Sequence, residues 1–433
     1  MFFAFEITLF IWLAIALYSM VLKKRLIGLN LFTLVGIYLP MLLFTFSWSM
    51  YVDPSISDDF WLIFFYLNLF MIVYNLLVDD HVNFDRIPLP TTVNKGLVTI
   101  LNWSFLILFL VESYIGSGSI LPALEGIDIH TFSAPIIAFV TRNVYIFVLM
   151  NVVAWIVTKR RSYLVWAVVL IVFPIVTRSM RISAIIALVQ VGTFFAAYYA
   201  YKKKSSKVRK VSNGNKPNKL VIGAIACFAA ILVFQSAAMT DDRMGYYGKY
   251  DLSYAEEIGY SGPSFLEDVV AVYYGYFPMS FNNLNLSLKY GHTDQNYLGL
   301  YSFRSVYFGV LQFDNIFDLD LAQPDATSVK SSPSATVATA FWDFYYDYGY
   351  LCFIPIGTMA LVCGLVTTRL NRKPTFFMAI QYYYFIPLVF FQSFQNVFFS
   401  SEMFYEIAIA AIVAHFVFAP SKRSRTLPKE FPE

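Results

Sequence analysis

About eleven apolar runs, most of them roughly twenty residues long, divide this chain of 433 residues. As helices, runs of that length cross the hydrocarbon core of a bilayer and satisfy every backbone hydrogen bond internally. The shorter, alternating strands of a membrane barrel are absent from the pattern. Only 14% of the residues are charged, against about 25% in a soluble domain, and the mean hydropathy is +0.60. The sequence therefore predicts an all-α polytopic membrane protein with about eleven transmembrane helices.

The charges between the runs are sorted. Of 31 Lys and Arg residues, all but eight fall in alternate loops and the C-terminal tail, which the positive-inside bias makes cytoplasmic. The exceptions are Arg142, Arg178, Arg181, Arg243, Lys249, Lys289, Arg304 and Lys330. The first run, Phe2 to Leu22, lacks a basic leader and a cleavage site and is followed by Lys23-Lys24-Arg25. It reads as a retained helix with an external N-terminus. Residues 1–239 then hold spans one to eight, with a basic cytoplasmic loop at 202–219. Residues 240–339 form one large external loop, 340–419 hold spans nine to eleven, and 420–433 are a cytoplasmic tail. Within the loop, Phe265 to Leu288, with Pro278 in its middle, reads as two short helices on the membrane surface.

On this topology the ionisable groups within spans crowd toward the outer leaflet: Glu6, Glu112, Arg142, Arg178, Arg181, Asp343, Asp347, Glu402 and Glu406. The inner half offers His415 alone. A secondary transporter would put polar groups at the midplane; this arrangement describes a site open to the outside. An arginine in an apolar segment costs about 2.5–3.5 kcal/mol on insertion scales, and its usual compensation is an anion of the phosphate type. Arg178 and Arg181, three apart, share a face if helical. Arg142, within a continuous fifth span Pro135 to Val157, has either Glu112 or a ligand for a partner. Asp343 and Asp347, spaced i, i+4, serve either the aromatic belt or a substrate. Glu402 and Glu406 read as counter-charges for the arginines, and Gln392, Gln395 and Asn396 as interhelical hydrogen-bonding groups.

Cys227, Cys352 and Cys363 fall in predicted spans and form no metal or redox spacing. There is no GxSxG, HExxH, Walker-type or dinucleotide-binding motif, so no cofactor or metal is expected. The eight bases of 202–219 are a solvated loop, and no nucleic-acid role is expected.

Three stretches resemble a known family. Thr177-Arg178-Ser179-Met180-Arg181-Ile182-Ser183-Ala184 is similar to a Gly/Thr-Arg-x-x pattern opening a span, though without the glycine. Tyr276-Phe277-Pro278 followed by Asn282-Asn283 resembles an aromatic-Pro-Asn stretch of a periplasmic loop. Ala340-Phe341-Trp342-Asp343-Phe344-Tyr345-Tyr346-Asp347-Tyr348-Gly349-Tyr350 resembles the aromatic-Asp-aromatic-Gly segment that follows it. Together they resemble the Wzy-type polymerases, the O-antigen or oligosaccharide repeat-unit polymerases of the bacterial inner membrane.

The resemblance implies a GT-C-like architecture, that of lipid-linked-sugar glycosyltransferases. It also implies transfer of a growing glycan from undecaprenyl diphosphate to a new lipid-linked repeat unit at the periplasmic face, with a chain-length regulator and a flippase as partners beside membrane lipids. A diphosphate leaving group needs fixed cations, so Arg178, Arg181 and Arg304 are expected as its clamp, with Arg142 and Arg243 as further candidates. His292 and Asp343 are the candidate bases for the acceptor hydroxyl. Tyr273, Tyr274, Tyr276 and Tyr301, with Asp347, are the expected sugar contacts. An O-antigen ligase shares the topology and the arginine chemistry, and a lipid-oligosaccharide flippase is the reading from a different class.

Overall fold

The computed structural model describes residues 33–45, 55–77, 90–122, 135–178, 181–208, 262–264, 277–291, 299–307, 311, 338–394 and 396–419. These are mostly helical. In chain order the helices are α1 (Leu39–Thr45, entered through a π-turn at Leu34–Tyr38), α2 (Asp58–Leu77), α3 (Lys95–Ser117) and α4 (Pro135–Thr141). There follow α5 (Val144–Thr158), α6 (Ser162–Arg178), α7 (Arg181–Val208), α8 (Pro278–Tyr290) and α9 (Arg304–Tyr307). The last four are α10 (Ala340–Tyr348), α11 (Phe353–Arg372), α12 (Phe376–Phe390) and α13 (Ser401–Ile412). Two short strands, β1 (Thr92–Val93) and β2 (Phe418–Ala419), pair antiparallel.

Among the described residues two helical runs are long and apolar enough to cross a membrane: α3, and Ala340–Arg372, in which α10 and α11 join through a 3-10 turn at Gly349–Cys352. Gly349, at φ +52°, ends α10 in a conformation that costs glycine little. Only 33% and 44% of the apolar windows of the two runs is buried. The outer face of α3 carries Ile100, Trp103, Ile107, Val111 and Tyr114, spaced three or four apart and all exposed. An exposed apolar stripe of that length suits lipid better than water.

The chain packs as two compact units. Unit 1 draws its described residues from 1–81, 215–365 and 386–400. Its centre is α8, in which every residue from Pro278 to Leu288 is buried. Pro278 sits at the first turn, where a missing N–H costs nothing, so it opens a helix instead of dividing one. The expected surface helix is thus a core element. Phe281 packs against Phe60 of α2 and stacks on Phe341 of α10, each with centroids 6.4 Å apart. Asn285 of α8 accepts the Ser57 N–H at 2.9 Å and donates to the Ser55 carbonyl at 3.0 Å, pinning the entrance of α2.

Unit 2 draws on 82–214, 366–385 and 401–433. Here α5 is central: Val144 to Ala154 are all buried. Asn102 of α3 and Asn151 of α5 exchange amide hydrogen bonds at 3.0 and 2.8 Å, the kind of polar contact that fixes one helix against another in an apolar interior. The β1–β2 pair, extended by Asn94 N–H to the Val417 carbonyl at 2.8 Å, ties the start of α3 to the end of the last helix.

Candidate functional site

In unit 1 the turn Gly299–Tyr307 is fastened to α10. Gly299 has φ +101°, and a β-carbon there would lie 2.6 Å from the Tyr348 hydroxyl, so both conformation and space demand glycine. The two residues after Leu300 turn their N–H groups onto Asp347, which is fully buried. Tyr301 donates to one carboxyl oxygen at 3.0 Å and Ser302 to the other. The Ser302 hydroxyl donates to the Asp343 carbonyl at 3.0 Å, and the Asn396 amide donates to the Ser302 carbonyl at 2.9 Å. Phe303 completes the seat against Phe399, with centroids 4.6 Å apart.

This bracket presents Tyr301 and Arg304 beside α10. The Tyr301 ring meets Tyr346 edge-on at 5.3 Å. Its phenol is pushed above its ordinary range, chiefly by burial and then by Asp343 and Tyr346, while Arg304 opposes the shift. Asp343 and Arg304 therefore both act on the Tyr301 phenol. The set matches a ligand that carries both hydroxyls and negative charge. Asp347, expected among the sugar contacts, accepts two main-chain N–H groups and positions the turn.

Unit 2 holds Arg142, Arg178 and Arg181. The span expected to run unbroken from Pro135 to Val157 is interrupted between Thr141 and Val144, and Arg142 lies half-buried in the break. Asn143 explains the interruption. Its N–H bonds to Val140 instead of Phe139, at 3.3 Å, and its side-chain amide takes the vacated Phe139 carbonyl at 3.0 Å. The Asn143 carbonyl oxygen accepts the Tyr145 hydroxyl at 2.8 Å, and the Tyr145 ring stacks on Tyr384 at 5.1 Å. The break leaves Arg142 at the N-terminal end of α5, where the partial positive charge of the helix adds to the guanidinium.

Arg178 is the last residue of α6 and Arg181 the first of α7, so the two belong to different helices instead of sharing one turn. Glu112 is buried on α3, which packs against α4. Glu406 bonds to the Gln381 amide at 3.1 Å, a neutral donor where a guanidinium was expected. Arg243, His292, Tyr273, Tyr274 and Tyr276 lie outside the described residues. Sequence reasoning missed Ser302 and Gly299; a lone Gly-Leu-Tyr-Ser stretch carries no pattern that announces a bracket. No family model, curated protein or solved structure matches this chain.

Proposed function

We propose that the chain is a polysaccharide polymerase of the Wzy type, a multi-spanning enzyme of the bacterial inner membrane with about eleven spans and a GT-C-like architecture. It transfers a growing glycan from undecaprenyl diphosphate to a lipid-linked oligosaccharide repeat unit at the periplasmic face. The observation that carries the reading is the bracketed turn, which fixes Tyr301 against α10, where Asp343 and Arg304 both act on its phenol. In this chemistry the acceptor hydroxyl attacks the sugar carbon bonded to phosphate. Its proton passes to a carboxylate or imidazole, and the lipid diphosphate leaves with the bonding electrons. Asp343 is the candidate base within unit 1, and His292 the candidate in the loop. Arg304 meets the charge that grows on the leaving diphosphate, each charge-assisted bond contributing about 1.5–3 kcal/mol. Arg142 in its helix break, with Arg178 and Arg181 at helix ends, supplies further cations in unit 2.

The test is product analysis with a defined lipid-linked repeat unit as donor and acceptor. Longer glycans from the wild type, and none from Asp343→Asn, support the reading. Elongation that appears only when lipid A is supplied would favour an O-antigen ligase. The lipid-oligosaccharide flippase is favoured by one observation, the buried carboxyl of Glu406 away from both ends of its helix.

A further inference from the structure

Unit 2 contains an ionisable group that the arginine chemistry does not use. Glu406 on α13 has no exposed surface. One carboxyl oxygen accepts the Gln381 amide at 3.1 Å; the other, Oε1, is buried and has no hydrogen-bond partner. At 1.5 Å per residue, Glu406 lies about 8 Å into α13, and Gln381 about 8 Å into α12, which has roughly 14 Å still to run. The pair is therefore interior to both helices.

Two other buried groups of unit 2 share this unmet capacity. The Tyr383 hydroxyl, two residues beyond Gln381, has no partner, and its ring packs edge-on against Phe194 of α7 at 5.3 Å. Gln190, one turn before Phe194, is fully buried with neither amide atom bonded. Asn102 pairs with Asn151, and Asp347 accepts two main-chain donors. Glu406 Oε1, the Tyr383 hydroxyl and the Gln190 amide have no such partner, as Gln392 Oε1 and Asn282 Oδ1 in unit 1 also lack one.

An ionised carboxylate in such packing costs several kcal/mol unless a positive charge joins it, and one amide donor brings none. Among the described side chains, the charged and titratable groups on α13 and the elements packed against it are Arg142 beside α4, Tyr145 of α5, Tyr382, Tyr383 and Tyr384 of α12, Tyr405 and the exposed His415; the Glu402 side chain of α13 lies outside them. Glu406 bonds to Gln381 and to none of these. Phe139 of α4 packs against Tyr405, the residue before Glu406, at 5.3 Å. The compensating charge has to come from a mobile cation. We propose that Glu406, with the Gln381 amide, is a binding site for a small monovalent cation, a proton or a sodium ion, inside unit 2. The site stands independently of the polymerase reading. A glycan enzyme would carry it as a cation-dependent element, and a transporter would carry it as its coupling site.

Dicyclohexylcarbodiimide tests this on the full-length protein in phosphatidylethanolamine/phosphatidylglycerol vesicles. The reagent captures a protonated carboxyl in apolar surroundings as a stable adduct, located by peptide mass spectrometry. Glu406 should be labelled. For a proton site, labelling falls about tenfold per pH unit once the proton is lost, and sodium has no effect. For a sodium site, NaCl slows labelling and raises the unfolding temperature of the wild type, where KCl does neither. Glu406→Gln, a neutral isostere that keeps the Gln381 neighbourhood filled, should lose the pH or sodium dependence of the unfolding temperature. The proposal is overturned if labelling of Glu406 is absent at every pH, or if Glu406→Gln and wild type share the same pH and sodium dependence.

Discussion

Replacing Asp347 by Ala removes the acceptor of two main-chain N–H groups, those of Tyr301 and Ser302. Each buried donor left without a partner costs about 1–3 kcal/mol, and bonds to a charged acceptor lie at the upper end of that range. The two donors are adjacent and their losses overlap, so the expected loss of local stability is about 3 kcal/mol rather than the full sum. The Ser302 hydroxyl and the Asn396 amide still hold the turn from the other side, so it loosens without the rest of unit 1 unfolding. Hydrogen exchange read at peptide level over 299–307 is the direct assay. At about 1.4 kcal/mol per tenfold, protection of the Tyr301 and Ser302 amides should drop about a hundredfold, while peptides from α2 and α8 stay protected. Unchanged protection over the turn would refute the bracket and with it the positioning of Arg304.

Arg304→Ala should slow glycan elongation about ten- to a hundredfold, the loss of one charge-assisted bond, and Arg304→Lys should restore part of it in the same product assay. Single Ala replacements at Arg178 and Arg181 should remove long glycan chains and leave membrane insertion intact; normal chain-length ladders from both would sink their role as a clamp. Asn102→Ala leaves Asn151 bonded only to the Phe147 carbonyl and should lower stability by about 1–2 kcal/mol in thermal unfolding of the detergent-solubilised protein, with no change in elongation at permissive temperature.

The helices were legible because an apolar run of sufficient length has few other uses: α5, α6 and α7 lie where the hydropathy put spans. The i, i+4 spacing of Asp343 and Asp347 put both on one helix, α10, but their separate roles were not legible. One bonds through its side chain to a turn some 45 residues earlier, and sequence spacing says nothing about such a partner. The break at Arg142 escaped notice for a local reason. Asn143 replaces a main-chain bond with a side-chain one, and composition cannot distinguish that from a continuous helix. What Glu406 bonds to was not legible from spacing. Its partner Gln381 sits on another helix, 25 residues away in sequence.

Incubation of the purified protein with a defined undecaprenyl-diphosphate-linked repeat unit in sealed vesicles tests the central claim most directly. The expected result is a ladder of longer glycans with stoichiometric release of undecaprenyl diphosphate, both lost in Asp343→Asn. Passage of the lipid-linked sugar across the vesicle membrane with no covalent product would contradict it.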